Sequence, residues 1–164
     1  KQAQTLSKSL ATGGKTSSLM FGIQWDLTCR FLKEKTDLTL ADIKTDSKSW
    51  GNYNNATINL AKGKYNTSPD SSSSTWTAVT AGAKSRKMLL TTGASEDTNK
   101  MNIYDFAGNE WEWTLEQYTS DSSFPCAVRG GLYLYGGSYG PASCHGNDST
   151  SSSLFNIGFR PALY

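Results

Sequence analysis

The sequence predicts an α+β fold in which one amphipathic helix precedes several short, irregular strands joined by long loops. Three observations support this prediction. Apolar residues recur at three- and four-residue steps between positions 19 and 32, as on one face of a helix. Beyond residue 86, short apolar runs alternate with clusters of Gly, Ser and Asn. The stretch 136–156 has little periodicity and is long for a structureless loop, and such loops are usually either functional or disordered.

The helix is predicted to start at the capping residues Ser17 and Ser18 and to end near Lys33 and Lys35, whose charges complement the helix dipole. Its core face is expected to carry Leu19, Met20, Ile23, Leu27, Phe31 and Leu32. A shorter helical turn is expected over 38–43. Residues 1–16 show no comparable pattern, so we expect an extended segment or a truncated start of a single domain spanning 1–164.

Downstream, the sequence predicts turns, one low-complexity loop and six strands. Residues 50–55 have the composition of turns and carry two aromatic anchors, Trp50 and Tyr53. The Ser-rich segment 68–74 is predicted to be a loop. The strand-like runs are 87–90, 102–104, 111–114, 127–129, 132–135 and 157–162.

Composition narrows the classes of partner. The 164 residues carry a formal net charge of +2, so no basic nucleic-acid-binding face is expected. No apolar run is long enough to predict a membrane span, and the N-terminal residues lack the apolar stretch of a signal peptide. The chain begins without Met, which we interpret as a fragment or a processed product.

The three cysteines do not predict a disulfide scaffold, because their number is odd and no CxxC pair occurs. Cys29 is expected to be a small buried residue of the helix. Whether Cys126 pairs with Cys144 is left open by the sequence.

The segment 102–114, NIYDFAGNEWEWT, is the most specific motif of the chain. In a strand, Trp111 and Trp113 point to one face while Glu110 and Glu112 point to the other. Two buried indoles would supply a large share of a small core, so we predict a structural role for both. Arg129 and Arg160 are predicted to bracket the fold through hydrogen bonds to carbonyls or carboxylates.

This motif resembles the signature of the formylglycine-generating-enzyme (sulfatase-modifying factor) family, and the sequences RGG at 129–131 and GFR at 158–160 resemble its later blocks. The resemblance implies a variant of the C-type lectin fold. It covers 101–160 specifically, whereas GIQWD at 22–26 is similar only loosely to the family's first-helix segment.

The cysteines and histidines on which the family's enzymes depend for catalysis are not all present in this chain. The reactive cysteines of the enzymes would fall near Gly137 and Ala142, and only Cys144 lies close by. The iron-dependent relatives need several histidines, whereas this chain has His145 alone, which is also the only candidate for a catalytic triad. We therefore expect a protein that is not an enzyme, with a divergent metal-dependent oxidase as the alternative.

The last third of the chain uses a restricted set of residue types. After Gln117 there is no Lys, Glu, Gln, Trp or Met, although roughly eight of the 29 residues of these types would fall in the last 47 positions if they were spread evenly. Tyr, Ser, Gly and Asn replace them, as in adaptable binding loops.

This tail resembles the variable region of proteins that retroelements diversify in phages and bacteria. There, adenines in template codons are randomised, and the codons reached lack the same five residue types. The resemblance implies that 129–164 is a variable region on a fixed frame and that twelve residues face a ligand: Leu132, Tyr133, Leu134, Tyr135, Tyr139, Cys144, His145, Asn147, Asp148, Leu154, Phe155 and Asn156. The alternative is that these aromatic and aliphatic residues belong to the core.

A structural calcium ion is the remaining implication of the family resemblance, although no cofactor is expected to be required. The matching positions are Asp105, Phe106, Gly108, Glu110 and Glu112, and their oxygen-rich set of ligands suits Ca²⁺.

The sequence thus favours a ligand-binding module that recognises a protein or glycan receptor on a bacterial surface. The location implied is a phage virion or a bacterial cell surface. A third alternative is a structural domain of a virion, which a fully buried apolar tail would indicate.

Overall fold

The computed structural model describes residues 2–84, 87–119 and 121–164, and it confirms the α+β prediction. Three helices come first: α1 (Gln2–Ser9), α2 (Gly22–Lys35) and α3 (Leu40–Lys44). The strands are β1 (Ser17–Leu19), β2 (Asn59–Leu60), β3 (Lys64–Asn66), β4 (Thr77–Ala78), β5 (Gly82–Ala83), β6 (Leu89–Leu90), β7 (Asn99–Lys100), β8 (Ile103–Tyr104), β9 (Trp111–Gln117), β10 (Cys126–Arg129), β11 (His145–Asp148), β12 (Ile157–Phe159) and β13 (Pro161–Leu163).

Helix α2 begins later than predicted, because Ser17 and Ser18 belong to a strand. Strand β1 pairs antiparallel with β13, so both are ladder residues instead of caps. The helix starts after Phe21, whose backbone N–H donates to Oε1 of Gln24 at 2.8 Å. A capping interaction is present, but it is supplied from inside the first turn.

The predicted core face of α2 was wrong in part, although Leu19, Met20 and Leu32 are buried as predicted. Trp25, Cys29 and Leu32 are the buried residues beyond the first turn, whereas Ile23, Leu27 and Phe31 are exposed. Trp25 stacks on Phe106 with ring centroids 4.0 Å apart and donates from Nε1 to the carbonyl oxygen of Ala142 at 2.9 Å. The burial of a large indole with its hydrogen bond satisfied fixes the rotation of the helix.

The two short helices flank this core. In α3, Thr39 accepts from the amide of Asp42 at 3.2 Å, and Asp42 accepts from the amide of Thr39 at 2.8 Å. This capping box explains the predicted turn over 38–43. Residues 2–9 form α1, so the expectation of an extended start was wrong there; Lys1 lies outside the described residues.

The principal sheet has the strand order β11-β10-β9-β12. β12 runs parallel to β9, and the other two pairs are antiparallel. Strand β11 was not predicted, and the predicted strand 132–135 is a turn. The single predicted strand over 157–162 is two strands, which join different sheets on either side of Arg160.

The core lies between α2 and the loops that precede the principal sheet. Its largest fully buried side chains include Trp25, Trp50, Tyr53 and Phe106. Trp111 and Trp113 are half-buried instead of fully buried, but Trp111 packs against the small buried cluster of Leu89, Leu132 and Tyr133, in line with its predicted structural role. In the β9–β10 ladder, Trp113 is in register with the buried Val128. Among the described residues, no helix is long and apolar enough to span a membrane.

Gly131 marks the crossing of two chain segments at the start of the tail. It adopts a φ of +87°, and a side-chain Cβ there would collide with the carbonyl oxygen of Gly140. Gly14 adopts a similar φ of +73°, but a Cβ at that position would have nothing within 4 Å. Comparison of the two glycines therefore separates the energetic cost of backbone strain from that of a steric collision.

We expect Gly131→Ala to lower the free energy of unfolding by more than Gly14→Ala, which should cost about 1 kcal/mol through strain alone. The additional loss at position 131 should be about 1–3 kcal/mol, because backbone must move to admit the methyl group. Urea unfolding of the two variants measures the difference. Equal losses of unfolding free energy in the two variants would contradict the close approach of Gly131 to Gly140.

Candidate functional site

The turn that follows Gly131 is carried by residues 50–55, which we call the anchor loop. Asn54 donates from its backbone N–H to the carbonyl oxygen of Tyr135 at 2.9 Å, and its Nδ2 donates to that of Leu134 at 2.8 Å. Oδ1 of Asn55 accepts from the amide of Gly137 at 3.2 Å. The turn is therefore held through its backbone, which leaves its exposed side chains, Tyr135 and Tyr139, free to differ.

Tyr53 joins the two ends of this turn. Its ring is fully buried, and its hydroxyl oxygen lies 2.8 Å from the carbonyl oxygen of Gly140 and 3.1 Å from that of Gly130. The hydroxyl proton is shared between the two acceptors. Burial raises the pKa of the Tyr53 phenol well above its usual range, so it stays a donor at all working pH values.

Lys84 holds the anchor loop through two hydrogen bonds. Its Nζ donates to Oδ1 of Asn52 at 2.8 Å and to the carbonyl oxygen of Tyr53. Asn52 in turn donates from Nδ2 to Oδ1 of Asn109 at 2.8 Å and to the carbonyl oxygen of Met88 at 3.0 Å. These two partners of the ammonium are neutral, and burial lowers the pKa of Lys84 to about 8.

Trp111 is the point at which the segments of the tail meet. Its backbone N–H donates to the carbonyl oxygen of Asn156 at 3.0 Å. A methyl group at Gly140 would lie 3.7 Å from Cη2 of the indole, and one at Gly146 would lie 3.9 Å away. The side chain also packs against a small cluster formed by Leu89, Leu132, Tyr133 and the half-buried Leu134. Three separate stretches of the tail thus converge on one half-buried indole.

The twelve residues expected to face a ligand differ in exposure. Five are exposed: Tyr135, Tyr139, His145, Leu154 and Phe155. Five more are half-buried: Leu134, Cys144, Asn147, Asp148 and Asn156. Contact of these ten with a ligand remains a prediction. Leu132 and Tyr133 are 1% and 2% exposed, so the expectation that they face outward was wrong. Both side chains pack beneath the turn, because the burial of their apolar surface stabilises the fold.

Aromatic pairs occur on the exposed part of the tail. The rings of Tyr135 and Tyr139 have centroids 4.8 Å apart at 50°, and Tyr118 meets His145 edge-on at 5.9 Å. These two aromatic pairs present stiff, amphipathic surfaces of the kind that suit contact with a ligand. Tyr139 is the most exposed of these aromatic residues, with 73% of its surface accessible.

Sequence reasoning missed the residues that border the turn from outside the tail. Asp46 and Lys48 form an exposed ion pair of 3.3 Å, and both lie against Gly137. The backbone N–H of Ser47 donates to the carbonyl oxygen of Gly137 at 3.2 Å. No local pattern pointed to these contacts, because about 90 residues separate the two segments. The Asn-rich composition of the anchor loop was the one available signal.

Both arginines bracket the fold as predicted. Arg129 is buried, its Nη2 bonds Oδ1 of Asp26, and its Nε lies 3.7 Å from Oε2 of Glu116. Arg160 holds both carboxylate oxygens of Glu112, from Nε at 2.8 Å and from Nη2 at 2.6 Å. Such a bidentate pair is a strong charge-assisted contact.

The arrangement of the five candidate calcium ligands does not match an oxygen cage. Both oxygens of Asp105 accept protein hydrogen bonds, from Thr98 at 2.8 Å and from the amide of Gly93 at 2.8 Å. Glu112 is neutralised by Arg160, whose Nη2 also donates to the carbonyl oxygens of Tyr104 and Asp105 at 3.1 and 3.4 Å. The aromatic ring of Phe106 stacks on Trp25, and the amide of Gly108 donates to Gly130 at 2.7 Å.

Glu110 stands apart from this network. Burial, followed by repulsion from Glu112, raises its pKa to about 7. In the part of the chain that the structure describes, no group of three or more His, Cys, Asp or Glu residues could hold a metal ion. Calcium binding stays a prediction, and the geometry does not support it.

The cysteines are free thiols in the structure. Cys126 opposes Asp148 at one end of the β10–β11 ladder, whereas Cys144 precedes the other end, where His145 opposes Arg129. At the rise of a strand this places them about 13 Å apart, too far for a disulfide. The Cys126–Cys144 pairing that the sequence left open is therefore not formed in this structure. Cys29 is buried as expected, and burial raises its pKa to about 12.

Comparison with known proteins places the chain in a family. Residues 13–163 match the sulfatase-modifying factor enzyme 1-like domain. The chain belongs to this family. The predicted sulfatase-modifying-factor resemblance is confirmed, and with it the C-type lectin-like variant of the α+β fold.

Among solved structures, the chain is similar to Treponema denticola variable protein 1, at 20% identity and a TM-score of 0.49. The match covers 90% of this chain and 47% of that protein, so the chain spans about half its length. No curated protein matches the chain.

The role of Tyr53 can be tested by removing its hydroxyl group. We expect Tyr53→Phe to leave the carbonyl of Gly140 without this donor, while that of Gly130 keeps the amide of Gly108 at 2.7 Å, and to cost about 1–3 kcal/mol of unfolding free energy. Hydrogen exchange should show the amides of Tyr139 and Gly140 losing more protection than those of β9. Tyr65→Phe, at a half-buried tyrosine outside the turn, is the control. Uniform loss across the chain would contradict a local role.

Lys84 predicts a pH dependence of stability. Its pKa is about 8 in the folded state, against an ordinary value of 10.5, so the unfolded chain binds more protons between these pH values. Unfolding free energy should therefore rise by about 1–3 kcal/mol from pH 8 to 10.5 through this residue. Urea unfolding of the wild type and Lys84→Met isolates the contribution, because other groups titrate in both. If the unfolding free energies of the two proteins changed with pH in parallel, a contribution from Lys84 would be ruled out.

Proposed function

We propose that this domain is a non-catalytic ligand-binding module whose tail displays diversified side chains on a fixed C-type lectin-like frame. The observation that carries the proposal is the convergence of the tail on the anchor loop and Trp111. Backbone groups of the turn over 132–140 are held by Asn54, which donates to the carbonyls of Leu134 and Tyr135, and by Asn55, whose Oδ1 accepts from the amide of Gly137. Side chains such as Tyr135 and Tyr139 can change without loss of those bonds.

The proposed partner is a protein or glycan receptor on a bacterial surface, and the proposed location is a phage virion or a bacterial cell surface. Exposed tyrosines, together with His145, Leu154 and Phe155, give the mixture of apolar and hydrogen-bonding groups that protein-binding surfaces use. The exposed residues also disfavour the virion-structural alternative, for which the apolar tail should be buried.

A divergent metal-dependent oxidase is the second candidate, because the family includes enzymes. Two features favour binding over this chemistry. Burial raises the pKa of Cys144, which disfavours the thiolate form that binds soft metals. No second thiol lies beside it in the described chain, since Cys126 occupies the far end of the ladder. Stoichiometric copper or iron in the purified protein, or oxygen consumption with a thiol peptide, would favour the oxidase.

Comparison of sibling genes tests the diversification directly. Copies of the domain, or a template repeat beside the gene, should differ at adenine positions in the codons of the exposed and half-buried residues. Differences should be rarer at Leu132 and Tyr133, where burial limits the residue types accepted. Copies in which those codons never differ at adenine would end the proposal.

A binding screen supplies the functional test. On an array of bacterial surface proteins and glycans, we expect Tyr139→Ala to weaken the wild-type hits by about 5–30-fold, as truncation of a central interface tyrosine does. Tyr164→Ala is the matched control, because Tyr164 is 58% exposed but lies outside the twelve residues. Hits that respond equally to both variants would place the contact elsewhere.

A further inference from the structure

Two acceptor groups beside the predicted contact residues have no donor within the described chain. Glu110 is half-buried, yet its carboxylate makes no hydrogen bond or ion pair with any residue that the structure describes. Oδ1 of Asn156 is buried and likewise lacks a hydrogen-bond partner there. Buried polar atoms are nearly always satisfied, so Oδ1 of Asn156 is an exception, whereas the half-buried carboxylate of Glu110 keeps contact with solvent but has no countercharge.

The two acceptors belong to neighbouring residues at one end of the sheet. Ile157 is in register with Trp111, and Gly158 with Glu112, in the parallel β12–β9 pair. Glu110 and Asn156 are the residues that immediately precede these two strands, and the hydrogen bond from Trp111 N–H to the Asn156 carbonyl belongs to the first pair of the ladder, so Asn156 lies at the end of the sheet next to Glu110. A Cβ on Gly158 would lie 2.5 Å from Oε2 of Glu110, so glycine leaves room for this carboxylate.

The two arginines of the sheet are already engaged elsewhere. The guanidinium of Arg160 is held by both oxygens of Glu112. Arg129 is held by Asp26 and lies beside Glu116. The sequence after Gln117 contains no Lys, so the tail itself offers no ammonium. Within the described residues, Glu110 is therefore an acidic group without a paired cation at the edge of the tail.

We propose that Glu110 is the anionic anchor of the binding surface and that the two oxygens of its carboxylate receive a Lys or Arg side chain of a protein partner. This inference rests on the proposed binding function and specifies the chemistry of the partner. A basic side chain supplies several donors to two acceptors and replaces the missing countercharge. A neutral glycan supplies hydroxyl donors but no charge, so it fits Glu110 less well.

The position of Glu110 favours a contact that contributes strongly to affinity. A half-buried carboxylate has lost part of its hydration before the partner arrives, so an added cation meets a less screened charge. Asn156 is one of the predicted diversified residues, whereas Glu110 precedes the variable region. The fixed carboxylate would therefore be used by every variant, and the residue at 156 would tune the geometry.

The placement of the site can be tested without a ligand by supplying the cation from within. Asn156→Lys should put an ammonium beside Glu110, whereas Asn156→Met supplies similar bulk without charge. We expect the Lys variant to melt about 2–4 °C higher than the Met variant, and this difference should disappear when Glu110→Gln is added to both. Equal melting temperatures in the Glu110 background would overturn the inference.

The partner chemistry is tested on the array described above, with Glu110→Gln as the variant and Glu96→Gln as the control. Glu96 is an exposed carboxylate that pairs with Lys62, outside the tail, so the control makes the same change in charge. Proteins with exposed basic segments should dominate the hits. Glu110→Gln should weaken those hits by about tenfold or more, as loss of a buried charge pair does, while Glu96→Gln should change them less than about twofold.

The outcomes separate the two proposals. Hits that need Tyr139 but tolerate Glu110→Gln, or that are neutral glycans, would overturn this inference and leave the binding function standing. A wild-type domain that binds nothing on the array would overturn both. Folding of each variant is checked by its thermal unfolding curve, and the near-isosteric Gln keeps the shape of the residue at 110.

Discussion

The arrangement depends on one buried hydroxyl group placed between two carbonyl oxygens. Tyr53 contacts Gly130 and Gly140, the two ends of the turn that carries Tyr135 and Tyr139. Closing a loop costs conformational entropy that the contacts within it must otherwise offset. Because the closure is made by the frame, the exposed residues between the two glycines, Tyr135 and Tyr139, need not stabilise the turn, whereas Leu132 and Tyr133 are buried beneath it. This constraint allows one part of the chain to vary while the rest keeps its fold.

The same constraint explains the polar groups that the core retains. Tyr53 is held in place by its backbone, whose carbonyl accepts from the ammonium of Lys84, and by Asn52, which is fully buried and bonded to Asn109. A buried lysine with neutral partners destabilises the fold. Here it connects the anchor loop to the chain after β5 and fixes the direction of Tyr53. Asn109 also bonds Leu90 through both its side-chain atoms, so the network reaches β6.

The sequence predicted the class of fold and the motifs better than it predicted the faces of elements. The turn carrying Trp50 and Tyr53, the short helix near Ile43 and the roles of both arginines could be inferred from local chemistry. Periodicity failed for α2, because Ile23 and Leu27 match an apolar stripe as well as Trp25 and Leu32 do. The tertiary stack of Trp25 on Phe106 decides between them.

The tail shows the same limit for a different reason. Alternation of Leu and Tyr over 132–135 predicts a strand, but the neighbouring residues that hold it are Asn54 and Asn55, about 80 positions earlier. Strand β11 has the polar sequence HGND and forms through backbone pairing to β10. Where side chains are free to change, they carry little information about the backbone beneath them. The charges follow the same division: the frame uses Arg129 and Arg160 internally, so the electrostatic character of the proposed binding surface is set by the charged groups that the frame leaves unpaired.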